Sequence, residues 1–191
     1  MPTTTSSGLS VVAPSVTVRI ERPANRASVD ALVEEAFGNP SVARLVQLIR
    51  ESEHWIPELS LVAERDGELV GHVLVSTADL ATERGAERIL LLSPLAVRPI
   101  AQGSGVGRAL VESALDAGER AGFGVVLLEG DPRFYVRFGF EGATELGIER
   151  PSELIPDWAW QARRLAAYDA TLRGRVIYPS AFWETGSVGP S

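Results

Sequence analysis

A glycine-rich turn at residues 102–108 constrains the fold of this chain more than any other stretch. It reads Gln-Gly-Ser-Gly-Val-Gly-Arg, and it lies between an apolar run of strand length and a run whose apolar residues recur at helical spacing. Closely spaced glycines let successive N–H groups converge on one point, and the following helix adds its positive N-terminal end. The pattern therefore predicts a strand–turn–helix unit with an anion site suited to a phosphate or pyrophosphate.

Two common nucleotide-binding loops do not match this turn. A Walker loop needs Gly-Lys followed by Ser or Thr, but all 18 basic residues of the chain are Arg. A dinucleotide loop needs Gly-x-Gly-x-x-Gly in the first strand–helix unit, whereas Gly103, Gly105 and Gly107 are two residues apart in mid-chain. A nucleotide-binding oxidoreductase is therefore a distant alternative.

The other patterns predict strands and helices that alternate along the chain. Proline cannot donate to a strand ladder, so Pro94 predicts a bulge in its strand and a divergence from the neighbouring strand. Asp66-Gly67 between two apolar runs predicts a hairpin, and Asp131 before Pro132 opens a short helix. The fold class is predicted to be α/β, with a mixed central sheet and flanking helices. Strands are expected at 16–20, 59–64, 68–76, 89–97, 123–128, after 138–140, around 158–166 and around 175–178, and the longer helices follow an N-cap at Ser28 and span 41–51 and about 105–121.

The composition excludes several kinds of chemistry. The chain has no Cys, so disulfides, Cys-ligated zinc and a cysteine nucleophile are impossible; without Lys, Schiff-base chemistry is excluded too. The net charge of −7 disfavours a nucleic-acid partner, which needs a basic surface. No apolar run approaches the roughly 18 residues of a membrane span, and the start lacks the basic region of a secretory signal. We therefore expect a cytoplasmic protein with no membrane or nucleic-acid partner and no metal.

The domain organisation is predicted to be simple. A chain of 191 residues suits one compact domain. Residues 1–14 are rich in Ser and Thr, and residues 185–191 are rich in Gly and Ser. Both ends are predicted to be flexible tails around one domain at 15–184.

The glycine-rich turn and two neighbouring motifs resemble the GNAT superfamily of acyl-CoA-dependent N-acyltransferases. The turn matches that family's pyrophosphate loop, Gln/Arg-x-x-Gly-x-Gly/Ala. The runs at 92–99 (Leu-Ser-Pro-Leu-Ala-Val-Arg-Pro) and 134–140 (Phe-Tyr-Val-Arg-Phe-Gly-Phe) are similar to its neighbouring motifs, in the expected order and separation. The resemblance covers about 16–140, and residues 174–182 look like the C-terminal end of a bacterial subgroup of predicted N-acetyltransferases. It implies a single-domain GNAT-like fold whose sheet is splayed at the acyl-CoA site.

The resemblance also implies how acetyl-CoA would bind and react. Main-chain groups of Leu95, Ala96 and Val97 would bond the pantetheine amides, as an added strand does. Tyr135 matches the family's usual acid for the departing thiolate. Arg98 and Arg108 are candidates for contacts with phosphates. The residues whose main-chain amides would receive the pyrophosphate are Gln102, Gly103, Ser104, Gly105, Val106, Gly107 and Arg108.

The sequence leaves open which residue takes the proton from the amine. Many relatives place an Asn a few residues before the tyrosine, where this chain has Asp131 and Pro132, so that side-chain contact to the cofactor is lost. Four tryptophans are candidates for an acceptor pocket or for the core, Trp55, Trp158, Trp160 and Trp183. The candidate bases or polar groups are Glu53, His54, Glu58, His72, Ser76 and Glu129.

Two hypotheses about function follow. The first is an N-acetyltransferase that moves an acetyl group from acetyl-CoA to a primary amine of a small molecule or peptide. Transfer would be direct, within a ternary complex, because no cysteine is present to form an acyl intermediate. The alternative is an acyl-CoA-binding regulatory or sensor module without turnover. A homodimer is possible under either hypothesis.

Overall fold

Apolar runs fold into nine strands within residues 15–189, the part of the chain that this computed structural model describes. The strands are β1 (Thr17–Ile20), β2 (Trp55–Arg65), β3 (Glu68–Thr82), β4 (Gly85–Val97), β5 (Val125–Glu129), β6 (Glu141–Gly142), β7 (Ile148–Glu149), β8 (Trp160–Arg164) and β9 (Gly174–Ile177). They form one sheet in the order β1-β2-β3-β4-β5-β8-β6, while β9 pairs with β3 and β7 pairs with β9. The β4–β5 and β7–β9 pairs are parallel and the others are antiparallel, so the predicted α/β class with a mixed sheet is confirmed.

The predicted hairpin forms between β2 and β3. Asp66 and Gly67 both take positive φ angles, of 53° and 81°, as a tight turn between antiparallel strands requires. Both strands are longer than the sequence pattern indicated: β2 begins at Trp55 and β3 continues to Thr82. The extension lets the far end of β3 pair with β9 beyond the reach of β2.

The helices lie close to their predicted positions. They are α1 (Arg26–Phe37), α2 (Pro40–Arg50), α3 (Val106–Arg120), α4 (Pro132–Tyr135) and α5 (Ser180–Glu184). The predicted N-cap at Ser28 is wrong, because α1 already begins at Arg26 and Ser28 lies inside its first turn. α2 begins one residue before Ser41, and the Asn39 side chain caps it by accepting a hydrogen bond from the Ser41 N–H at 3.0 Å. Asp131 caps α4 in the predicted way, accepting from the Arg133 N–H at 2.9 Å.

Two hydrophobic cores cover the two faces of the sheet. On one face, α1, α2 and α5 pack over the sheet around buried side chains such as Leu32, Ile49 and Phe182. On the other face, α3 and the segment around Tyr135 pack around a second set that includes Leu110. The sheet therefore separates an α1/α2 face from an α3 face, and a passage between the faces needs a gap between strands.

The ends of the chain are only partly described. The predicted tail at 1–14 lies outside the described residues. Of the predicted C-terminal tail, residues 185–189 follow α5, and the Gly189 N–H donates to a Glu129 carboxylate oxygen at 3.0 Å. The domain boundaries stay predictions. In the described part of the chain, no helix is both long and apolar enough to cross a membrane.

Candidate active site

A gap opens in the sheet where β4 and β5 diverge. The two strands pair in parallel only at Leu90 with Val126 and Leu91 with Leu127, although β4 continues for several residues. Within β4 the register against β3 shifts between Leu92 and Leu95, so an extra residue is accommodated at Ser93-Pro94. This confirms the bulge that Pro94 predicts and the divergence that follows from it.

Within residues 15–189, no strand pairs with the main-chain groups on the β4 side of the gap. The Arg98 N–H donates to the Val70 carbonyl of the β3 segment at 3.0 Å, and successive residues of a strand point their N–H and C=O groups to opposite sides. The groups of Leu95 and Val97 therefore face the gap, whereas those of Ala96 face β3. The Val97 carbonyl accepts a hydrogen bond from the Gln102 side chain at 3.2 Å.

The β5 side of the gap ends on Glu129. The Gly130 N–H donates to the Ala159 carbonyl at 3.0 Å, and the Gly124 carbonyl accepts from the Leu165 N–H at 2.8 Å. Even-numbered residues of this strand thus face β8, and the main-chain groups of Glu129 face the gap by the same alternation. Diverging strands with unpaired main-chain edges can bind an extended chain that carries amides.

The glycine-rich turn presents a run of free N–H groups next to this gap. Gly103 and Gly105 take φ angles of 72° and 89°, a conformation that favours glycine, and Gly105 precedes the first residue of α3. The Gln102 N–H already donates to the Pro99 carbonyl at 3.3 Å. Among the described residues, the N–H groups from 103 to 108 have no hydrogen-bond acceptor, as expected for a helix start without a side-chain cap. They form a cup for an anion.

Two arginines near the turn, both candidates for phosphate contacts, lie beside carboxylates of the protein itself. Arg108 pairs with Glu112 one helical turn on at 2.8 Å, and Arg98 lies 3.5 Å from a Glu35 carboxylate oxygen. The side chain that reaches the turn is Arg65, which donates to Ser104 Oγ at 2.6 Å. Sequence reasoning missed Arg65, because only the packing of the β2–β3 hairpin end beside the turn brings it there.

Tyr135 is buried among aromatic rings at the wall of the gap. Its ring meets Phe134 edge-on at 4.9 Å and Phe140 at 5.5 Å between centroids. Gly130 lies directly beside it, since a Cβ on that residue would come within 2.9 Å of Tyr135 Cδ2. Burial raises the pKa of the Tyr135 phenol to about 12, so the hydroxyl stays protonated at neutral pH.

Glu129 is a half-buried carboxylate in the same place. It accepts a hydrogen bond from the Tyr178 hydroxyl at 2.7 Å and another from the Gly189 N–H at 3.0 Å. Burial raises the pKa of the Glu129 carboxyl above its ordinary value, and the two hydrogen bonds oppose that rise only in part. A carboxylate with neutral donors and a raised pKa is suited to taking up a proton.

The two side chains line one cavity of about 510 Å³ that occupies the gap. Its lining includes residues of both hydrophobic cores, with Val42 and Leu45 from the α1/α2 face and Leu92 and Tyr135 from the α3 face. The cavity therefore runs through the sheet from one face to the other. Its remaining lining residues are Phe37, Asn39, Ser93, Pro94, Leu95, Glu129, Gly130, Asp131, Phe134, Trp158, Ala159, Gly186, Ser187, Val188 and Gly189.

The other candidate bases lie elsewhere. Glu53 and His54 line a separate depression beside α5, and Glu53 pairs with Arg88 at 2.8 Å. Glu58 lies in a third depression on the α3 side of β1 and β2. Ser76 is fully buried.

His72 is also buried in a structural network. Its Nε2 lies 3.2 Å from Ser60 Oγ, which donates to Glu21 Oε2. Burial lowers the pKa of the imidazole, which is therefore neutral at neutral pH. Of the candidates from the sequence, only Glu129 shares the cavity with Tyr135.

The tryptophans divide between the cavity and the rest of the molecule. Trp158 lines the cavity, whereas Trp160 is fully buried and donates from its indole nitrogen to the Ile148 carbonyl at 3.0 Å. Trp55 is half-buried beside Arg26, and Trp183 is exposed on α5. Within residues 15–189, no group of three His, Asp or Glu side chains is placed to hold a metal ion, and the absence of a metal from the reaction stays a prediction.

The model of the acetyltransferase (GNAT) family matches residues 28–140, which span the gap, the turn and the aromatic motif. The chain belongs to the GNAT acetyltransferase family. It is 35% identical over 160 residues to the uncharacterized N-acetyltransferase YhbS of Escherichia coli K12, a match that covers 82% of this chain and 90% of YhbS. A second uncharacterized N-acetyltransferase of that strain, YjhQ, is 34% identical over 144 residues, covering 74% of this chain and 80% of YjhQ.

Solved structures of other GNAT proteins share the fold. YhbS from Escherichia coli, in complex with CoA, superposes with a TM-score of 0.81 at 31% identity and covers 92% of this chain and 96% of its own. A GNAT acetyltransferase from Brucella melitensis, in complex with acetyl-CoA, gives a TM-score of 0.72 at 27% identity and covers 89% of this chain and 99% of its own. The splayed GNAT-like fold and the enzyme class expected from the sequence are therefore confirmed for this GNAT acetyltransferase.

A further relative is named a mycothiol acetyltransferase. Mycothiol acetyltransferase of Sanguibacter keddieii is 37% identical over 156 residues, which cover 74% of this chain but only 49% of that protein. This GNAT acetyltransferase thus spans about half the length of that relative.

Proposed function

We propose that this GNAT acetyltransferase moves the acetyl group of acetyl-CoA directly to a primary amine. The observation that carries the proposal is the position of Tyr135 in the cavity where β4 and β5 diverge. The CoA and acetyl-CoA complexes of two similar proteins support the identity of the donor. Direct transfer is supported by the absence of Cys from the chain, which leaves no thiol to carry the acetyl group.

The donor would lie along the β4 side of the gap. The main-chain groups of Leu95 and Val97 face it and can bond the amides of the pantetheine arm as an added strand would. The N–H groups from 103 to 108 would bind the pyrophosphate, assisted by the positive end of α3 and the charge of Arg65. Ala96 and Gln102 would contribute less to binding the donor than the sequence indicated. The main-chain groups of Ala96 face β3, and the Gln102 N–H already donates to the Pro99 carbonyl.

Tyr135 would act on the departing sulfur as a hydrogen-bond donor. Its pKa of about 12 exceeds the ordinary thiol value of about 8.5, so complete proton transfer to a thiolate is uphill by about 5 kcal/mol. A hydrogen bond that strengthens as the sulfur gains negative charge avoids this cost and stabilises the transition state selectively. The final proton of the free thiol can then come from solvent.

Glu129 would receive the proton that the amine loses. An alkylammonium has a pKa near 10.4, so the amine must be deprotonated before its lone pair can attack the thioester carbon. As the N–C bond forms, the C–S bond breaks, the sulfur leaves with the electron pair, and the nitrogen gives its second proton to solvent. A carboxylate has about four acceptor sites, and Glu129 uses two of them for Tyr178 and Gly189, which leaves room for a water or the amine itself.

The test follows thiol release from acetyl-CoA in the presence of an amine panel. Tyr135→Phe removes one hydroxyl and is expected to lower kcat by roughly 100-fold, because it removes a donor that acts in the transition state. CoA binding, measured by calorimetry, should be unchanged. Tyr168→Phe is the matched control, since Tyr168 lies beside Arg164 away from the cavity lining.

Two outcomes would contradict the proposal. Equal turnover in the Tyr135→Phe variant would remove that residue from the mechanism. Tight CoA binding without release of thiol for any amine would favour the non-catalytic acyl-CoA-binding module instead.

A further inference from the structure

The cavity gives the acceptor a separate entrance from the donor. The free N–H groups of the turn lie at the start of α3, so the proposed donor reaches the gap from the α3 face. The remaining opening is bordered by Phe37 at the end of α1, by Asn39 in the loop before α2, and by the segment 186–189 after α5. An acceptor must therefore approach from the α1/α2 face. This inference rests on the proposed function.

The acceptor side of the cavity is apolar. Val42 and Leu45 of α2 and Val188 contribute apolar lining. Phe37 and Trp158 line the cavity as well, yet they remain 39% and 61% exposed. Large aromatic side chains that stay exposed along a cavity are typical of a surface that a ligand covers.

The charges of the cavity are negative. Among the described lining residues none is Arg, Lys or His, and the acidic ones are Glu129 and Asp131. Asp131 is neutralised by Arg133, at 2.6 Å between Oδ2 and Nη2. Glu129 has only neutral donors, Tyr178 and Gly189, within hydrogen-bond distance in the described structure. The site thus offers one uncompensated carboxylate to a cation and no partner to an anion.

We propose that the acceptor is a small primary amine with an aromatic or bulky apolar body and no carboxylate near its amine. The ammonium group would be drawn to Glu129, and the body would lie between Phe37 and Trp158. An α-carboxylate would enter an apolar site beside Glu129 without a cationic partner, which costs several times more than burying a neutral group. A volume of about 510 Å³ that also holds the thioester end leaves room for a body of about one ring.

The first experiment compares amines that differ in one group. 2-Phenylethylamine and L-phenylalanine share a ring and an amine and differ by a carboxylate, while ethylamine lacks the ring and spermidine carries additional charges. We expect kcat/KM for 2-phenylethylamine to exceed that for L-phenylalanine by at least ~100-fold and that for ethylamine by ~10-fold or more. Spermidine should be a poor substrate, because it has no apolar body to pack against the aromatic side chains of the cavity.

The second experiment tests the aromatic side chains. Trp158→Ala should raise KM for 2-phenylethylamine by roughly 10-fold, with a smaller change in kcat, because it removes binding surface remote from the reacting atoms. KM for ethylamine should be nearly unchanged. Trp183→Ala is the matched control, since Trp183 is exposed on α5 and does not line the cavity.

The outcomes separate this inference from the proposed function. If L-phenylalanine or spermidine is acetylated as efficiently as 2-phenylethylamine, the inference is overturned and the acetyltransferase activity stands. The same holds if a peptide with an N-terminal Phe is strongly preferred, which would assign the cleft to polypeptide termini. If thiol is released with none of these amines, the proposed function itself fails.

Discussion

Gly130→Ala is expected to displace the phenol of Tyr135 without touching the anion cup. A methyl group on Gly130 would overlap Tyr135 Cε2 most closely, and it would lie 2.9 Å from Tyr135 Cδ2 and 3.2 Å from Leu128 Cδ1. Unbonded carbon atoms prefer separations of about 3.5–4.0 Å. The ring is held from other directions by Phe134 and Phe140, so it can relieve the overlap only by moving its hydroxyl.

The magnitude follows from the size of this overlap. Because Tyr135 Cε2 is the closest atom to that methyl group, the ring edge must move by roughly 1–1.5 Å to restore ordinary contacts. A misplacement of about 1 Å at a reacting group can cost about 100-fold in rate. We therefore expect kcat to fall by ~10- to 100-fold, which corresponds to about 1.4–2.7 kcal/mol in the activation barrier. Overpacking should also lower the free energy of unfolding by about 1–3 kcal/mol.

The assay measures kcat at saturating acetyl-CoA and amine, well below the melting temperature of the variant, together with the Kd for CoA. Gly142→Ala is the matched control: its φ of −60° suits alanine, and its methyl group would meet the Glu145 side chain at an ordinary 3.6 Å. The decisive comparison repeats Gly130→Ala in the Tyr135→Phe background, where no hydroxyl remains to be misplaced. A loss of kcat as large there as in the wild type would refute the reasoning, because Gly130 would then act through something other than the phenol.

Two further predictions concern the cup and the core. Arg65→Gln should raise the Kd for CoA by ~3- to 10-fold and weaken the salt dependence of CoA binding, because the arginine places a positive charge beside Ser104. The control is Arg84→Gln at an exposed position, which should leave the Kd unchanged. Equal effects of the two substitutions would rule Arg65 out as a phosphate contact. Burial lowers the pKa of His72, so as the pH drops below about 6.5 the unfolded chain takes up a proton before the folded one does. The free energy of unfolding should therefore decrease as the pH is lowered, by up to about 1.4 kcal/mol per pH unit. Melting temperatures at pH 7.5 and 5.5 should therefore differ more for the wild type than for His72→Gln, and parallel behaviour of the two would contradict this assignment.

Features with a local cause could be predicted from the sequence. The turn at 102–108 has a glycine at each position that needs a positive φ angle, so its conformation is set by residues adjacent in the chain. Pro94 interrupts its own ladder, and the bulge appears at that point in the register. Asp131 and Pro132 open α4 by short-range hydrogen bonding and a fixed φ angle. Each of these features can be predicted without knowing which residues pack against it.

Features that depend on distant packing could not be predicted in this way. The choice of Glu129 among the candidate bases depends on Tyr178 and Gly189, which lie 49 and 60 residues further along the chain. Arg65 reaches Ser104 only after the hairpin packs beside the turn. The misplaced N-cap at Ser28 has a local cause instead: a 3-10 turn at Pro23–Asn25 leads directly into α1, so the helix starts at Arg26, before Ser28 could cap it.

The most direct test of the account is a crystal structure of this GNAT acetyltransferase with CoA bound. We predict that the pyrophosphate lies on the N–H groups from 103 to 108, and that the CoA sulfur lies in the gap between β4 and β5, within hydrogen-bond distance of the Tyr135 hydroxyl. A structure in which the coenzyme leaves the cup empty, or in which its sulfur lies away from Tyr135 on another face of the protein, would contradict the central claim.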